Sequence, residues 1–168
     1  MLTIVKRLQQ HPFLRQVSAE NILTLAEATH PVVFQPGEWI VRQGRKARSL
    51  YLIEKGVVEL GLLTKGPGTP LVISHIHKGG SLGWSWAFPP FKWKFDARAK
   101  TRVEALALDG RPVMDKCGLY PLLGYEVMKK LAESLAKRLE GTRHQLVHMA
   151  RKHPDLPPAI LYYPSPIV

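Results

Sequence analysis

The sequence predicts a mainly β domain, antiparallel and framed by helices at both ends. Three observations carry this expectation. From Pro31 the chain reads as short β-rich runs, "VVF", "IVRQG", "SLYLIEKGVVELGLL" and "PLVISHIHKGG", cut by Gly and Pro at the spacing of a sandwich or barrel. Before Pro31 and after Arg111, apolar residues recur instead at steps of three and four, the period of a helix. The length, 168 residues, suits one domain with a proper core, or one domain with a small appendage.

Taken in order, Leu2, Val5 and Leu8 open a first helix, and Ser18 is placed to cap a second that carries Ile22, Leu25 and Ala26. In "LYLIEKGVVEL", the Lys55-Gly56 pair between two apolar runs predicts a hairpin turn, with Gly supplying a positive φ. "KGPG" at 65–68 predicts a second turn. "TRVEALALD" places apolar residues on both sides of its alternation, as expected of a strand buried on both faces that closes the barrel. A short helix follows around "RPVMDKC", then a long one from about Leu122 to Arg151. Its stripe of Met128, Leu131, Leu135, Leu139, Leu146 and Met149 exceeds what a small barrel covers, and Gly141 is expected to bend or weaken it.

Composition excludes several classes of function. The start "MLTIVKRLQQHPFL" lacks the apolar centre of a signal peptide, and the single Cys117 forms no internal disulfide, which together point to a cytoplasmic protein. One cysteine also excludes a four-thiolate zinc site or a cysteine-held cluster within one chain. No run reaches the roughly 18 apolar residues of a spanning helix, so no membrane partner is expected. His75 with His77, and His144 with His148, have spacings that suit a metal, yet no third ligand accompanies either pair, and no metal site is expected. "GWSWA" lacks the second glycine of a serine nucleophile elbow, and "KGPG" and "KGG" lack the lysine-hydroxyl ending of a phosphate loop. An enzyme is not expected. The net charge of +11, from 24 Lys+Arg against 13 Asp+Glu, favours anionic ligands, nucleic acid or an acidic protein partner.

The densest chemistry lies in "GWSWAFPPFKWKFDARA", Gly83 to Ala99, where three tryptophans and three phenylalanines are interleaved with Lys92, Lys94 and Arg98. Together with "QPGEWIVRQGRKARSLYLIEKGVVEL", in which Gly37-Glu38, Gln43-Gly44, "LYLI" and Gly56 take up turns and strands, and with "GGSLGW" and "ARAKT", this stretch resembles the cyclic nucleotide-binding domain of the catabolite activator protein family. The resemblance runs from about Phe13 to Arg143. It implies a cyclic nucleotide-binding-like double-stranded β-helix (jelly roll) followed by a long C-terminal helix. The expected layout is a domain over 1–153, with helices in 2–29, the jelly roll over 31–109 and helices in 111–152, followed by a Pro-rich tail over 154–168. "GGSLGW" stands where the family begins its phosphate-binding cassette.

Ordinary members follow the cassette glycine with a glutamate that receives the ribose hydroxyl, and later present an arginine that pairs with the cyclic phosphate. Here Gly83 is followed by Trp84, and the arginine's region reads Trp93-Lys94-Phe95. A lysine offers charge without the planar bidentate clamp of arginine. Cyclic AMP binding in the usual way is therefore not expected, and the ligand, if any, is unknown. The candidate ligand-binding residues are Gly83, Trp84, Ser85, Trp86, Lys92, Trp93, Lys94, Phe95 and Arg98. Aromatic walls of this kind can stack a planar ligand, fill the vacated pocket with their own rings, or receive another protein.

Family regulators usually carry a helix-turn-helix module after the long helix, whereas "RKHPDLPPAILYYPSPIV" is obstructed by prolines, so sequence-specific DNA binding by this chain alone is not expected. The family places its long helix at a twofold axis, which implies a homodimer through Met128, Leu131, Leu135, Leu139 and Leu146. The leading expectation is a stand-alone, ligand-sensing regulatory module with a rebuilt cassette. The alternatives are a structural adaptor whose self-filled cassette and long helix bind a protein partner, and a transcriptional regulator acting through a separate DNA-binding partner.

Overall fold

A computed structural model describes residues 2–62 and 71–152. Among these residues, two helices, α1 (Leu2–Gln10) and α2 (Ala19–Ala26), precede eight strands: β1 (Thr29–Phe34), β2 (Trp39–Val41), β3 (Ser49–Lys55), β4 (Val58–Leu62), β5 (Leu71–Ile76), β6 (Ser81–Leu82), β7 (Asp96–Ala99) and β8 (Val103–Asp109). Helices α3 (Gly110–Leu119) and α4 (Pro121–Lys152) follow. Ser18 caps α2 as its position predicts, its hydroxyl accepting the Asn21 N–H. Between α1 and α2, a 3₁₀ turn over Pro12–Leu14 is capped by His11. His11 Nδ1 accepts the Phe13 N–H, so Nε2 carries the proton and faces the Ile53 carbonyl at 3.2 Å.

The strands form two antiparallel sheets, ordered β1-β8-β3-β6 and β2-β7-β4-β5, with the jelly-roll architecture that the resemblance implies. Strand β8 lies inside the first sheet, with Thr29 opposite Leu108 on one side and Leu50 opposite Leu108 on the other. Val103 and Ala105 to Leu108 are all buried, which accounts for its two-sided apolar pattern. Closure of a barrel by this strand is not observed; it is an interior strand of one of two sheets.

Gly56 also corrects an expectation. It has a φ of +88°, yet the strands it joins do not pair with one another: β3 belongs to the first sheet and β4 to the second. The glycine turns a corner between layers, where any Cβ would collide with the Arg102 carbonyl oxygen. The "KGPG" turn lies outside the described residues.

The first compact unit ends at Leu131. Within it, Leu123, Val127 and Leu131 form a buried i, i+4, i+8 line on α4. The second unit begins at Ala132 and carries the remainder of α4, which is continuous through Gly141. Leu131 is only 2% exposed and Met128 packs against the core, so these two stripe residues are taken up by their own domain. Leu139, Leu146 and Met149 remain exposed and Leu135 half-buried. No helix of the described residues is long and apolar enough to cross a membrane.

Candidate functional site

The cassette connects β6 to β7. It begins at Gly83, whose φ of +105° favours glycine and whose missing side chain leaves room for the Trp93 ring and the Ser49 carbonyl, both 2.8 Å from where a Cβ would stand. Two successive turns follow, closed by Ala87 N–H donating to Trp84 O and Phe91 N–H donating to Phe88 O. The chain then pairs with the segment after β2. Gly44 N–H donates to Trp93 O, Trp93 N–H to Arg45 O, and Ala47 N–H to Phe91 O. Lys46 and Lys92 oppose one another across this short antiparallel ribbon.

Alternation along the ribbon decides what points inward. Trp93 and Phe95 are buried, whereas Lys92 and Lys94 are exposed. Trp93 stacks on Tyr51 at 6.4 Å between centroids, and Tyr51 meets Phe34 edge-on at 5.9 Å. Trp86 is buried against Gly110. Trp84 is half-buried, with the exposed Phe88 ring 6.5 Å away. Burial raises the Tyr51 phenol above its ordinary pKa.

The expected partnership of rings and cations is thus divided. Gly83, Ser85, Trp86, Trp93 and Phe95 lie inside, Trp84 at the margin, and Lys92 and Lys94 outside. Arg98 does not join them. It points away from its buried neighbours Ala97 and Ala99, reaches Glu59 Oε2 at 3.2 Å and lies over the Trp39 ring. Glu59 also holds Lys100 and His75. Burial would raise its pKa, but hydrogen bonds from Arg98 and Lys100, with His75, hold it below the ordinary carboxylate range.

Sequence reasoning missed Asp96. Its side chain is 1% exposed, and Oδ1 accepts both the Gln43 N–H at 2.8 Å and Arg42 Nε at 3.1 Å. Arg42 in turn covers the Trp39 ring at 4.2 Å. A signal was present: Asp96 is the only carboxylate between Glu59 and Glu104. Among the described residues, the buried Ser85 Oγ, Trp86 Nε1 and Asp96 Oδ2 make no hydrogen bond.

Solved structures share this fold. A cyclic nucleotide-binding protein from Geobacter metallireducens shares 23% identity at a TM-score of 0.71, covering 80% of this chain and 96% of its own. The catabolite activator protein of Thermus thermophilus shares 22% at 0.65, covering 83% of this chain and 63% of its own. The regulatory subunit of a cAMP-independent protein kinase A from Trypanosoma brucei shares 27% at 0.59, covering 76% of this chain and 50% of its own. The model of the cyclic nucleotide-binding domain matches residues 31–118, more than half of the sequence, and the chain belongs to the cyclic nucleotide-binding domain family.

Proposed function

We propose that this chain is a non-enzymatic regulatory module that works through its surfaces and does not take up cyclic AMP in the usual way. The observation that carries this reading is the filled cassette: Trp86, Trp93 and Phe95 are 4%, 5% and 8% exposed. By the resemblance, the place of the ribose-binding glutamate holds Trp84, and the region of the phosphate-pairing arginine reads Trp93-Lys94-Phe95, with Lys94 exposed and the two rings buried. Each missing charged hydrogen bond removes about 1.5–3 kcal/mol from nucleotide affinity. That the Trypanosoma brucei subunit belongs to a cAMP-independent kinase supports the idea that this fold also serves proteins without a cyclic AMP response. Titration calorimetry with cyclic AMP and cyclic GMP tests it. No micromolar binding is expected; tight binding of either would overturn the reading.

Ligand sensing is favoured by one observation. Ser85 Oγ, Trp86 Nε1 and Asp96 Oδ2 are buried without partners, a state that costs about 1–3 kcal/mol per group and that a small polar ligand would relieve. A thermal-shift screen of nucleotides and aromatic polar compounds separates the two, and Trp84→Ala should weaken any ligand found. We further propose a homodimer through Leu135, Leu139 and Leu146 of α4.

A further inference from the structure

The ribbon of 44–48 and 91–94 carries Arg45, Lys46, Arg48, Lys92 and Lys94, all exposed. None of the five has a carboxylate partner among the described residues, and the sequence has no acid from 39 to 53 or from 60 to 95. Lys46 and Lys92 are directly opposed. The bonds Ala47 N–H to Phe91 O and Trp93 N–H to Arg45 O flank them, which makes them a non-hydrogen-bonded antiparallel pair, the class with the closest side chains. Like charges in that position destabilise the ribbon that holds them.

At one end of the ribbon stand Phe88 and Phe91, 42% and 44% exposed. Phe91 has a φ of +56°, a left-handed conformation that is strained for a bulky residue. Its ring stays 44% exposed, so burial offsets only part of that cost. Two local arrangements therefore work against the stability of the free protein, and both lie on one surface. Backbone strain of this kind clusters at functional sites such as ligand clamps and switch regions.

We propose that this surface docks an extended acidic segment of a partner protein. Lys46 with Arg48, and Lys92 with Lys94, are spaced two residues apart, so each pair projects to one side at the period of an extended chain with acidic side chains at alternate positions. The two phenylalanines belong to one turn at that end, closed by Phe91 N–H donating to Phe88 O, and both are exposed, as an anchor for apolar side chains. They are not interleaved with the cations as successive base-stacking platforms would be along a single-stranded nucleic acid. This proposal rests on the reading of the domain as a module that works through its surfaces, but the nucleotide titration and the peptide titration fail independently.

The test is fluorescence anisotropy of a labelled peptide of alternating Glu and Leu at physiological ionic strength, with oligothymidylate and phosphatidylserine vesicles as competing probes. The full chain should bind the peptide, and Lys92→Glu and Phe91→Gly should each weaken it about tenfold. Thermal melts supply the second readout. Lys92→Glu places opposite charges face to face and should melt no lower than the native protein, and Phe91→Gly, which exchanges a partly covered ring for relief of the left-handed backbone, should keep a single cooperative melt, so that weakened binding is not unfolding. Absence of peptide binding, undiminished binding by both variants, or preference for oligothymidylate or vesicles over the peptide would overturn the proposal.

Discussion

Asp96 shows how much one buried side chain can hold together. Its Oδ1 accepts both the Gln43 amide and Arg42 Nε, and Arg42 lies over Trp39, so the start of β7, the turn after β2 and the outer indole are joined through one oxygen atom. Asp96→Ala would leave the Gln43 N–H without this acceptor and Arg42 without its anion, and is expected to lower unfolding free energy by about 1–3 kcal/mol in urea titrations. Asp96→Asn retains an acceptor and should lose less. Arg98 illustrates a different limit of residue-level reading. The pattern "DARA" already alternates, and Ala97 and Ala99 face the core. Nearness in sequence placed Arg98 with the tryptophans, whereas strand period assigned it to the opposite face.

Among the elements, the 3₁₀ turn after α1 has a titratable cap. Burial pushes the His11 pKa below the ordinary 6.5, partly opposed by the Ile53 carbonyl and the Glu54 charge. The neutral ring serves the fold, since a protonated Nδ1 could no longer accept the Phe13 N–H. The folded pKa therefore lies below the unfolded one. This contribution is fully present above about pH 6.5 and is lost as pH falls through that value towards the lower folded pKa. Asn at this position keeps an acceptor for the cap without titrating in that range. Thermal melts of native protein and His11→Asn between about pH 8 and about pH 5 should show the native protein losing more on acidification. The elements themselves were largely legible, because α2, β8 and α4 follow from a capping serine and apolar periodicity. The pairing of β3 and β4 was not. A glycine with positive φ suits a hairpin and a corner equally well, and only the distant carbonyl of Arg102 and the partners of each strand distinguish them.

For the whole molecule, the exposed apolar side of α4 bears on assembly. Leu131 belongs to the domain core, which leaves Leu135, Leu139 and Leu146 for the partner helix of the proposed homodimer, each contributing at most roughly 1.5–3 kcal/mol and less where it is already partly covered, before association costs. Replacing Leu135 and Leu139 with Glu should leave far-UV circular dichroism essentially unchanged and halve the mass seen in light scattering. A native protein that is monomeric at tens of micromolar would exclude this dimer. The cassette was legible as a place but not as a packing arrangement: tryptophan content located it, while the burial of Trp86 against Gly110 and of Trp93 against Gly83 depends on residues separated in sequence or brought together by turns. Sheet order has a further consequence for biosynthesis. Among the described residues, strand β1 pairs only with β8, across a register that joins Thr29 to Leu108, while β4 and β5 are neighbours in sequence. On the ribosome, β1 must therefore wait without this partner until Val103–Asp109 has emerged, and its unpaired edge is open to aggregation during that interval.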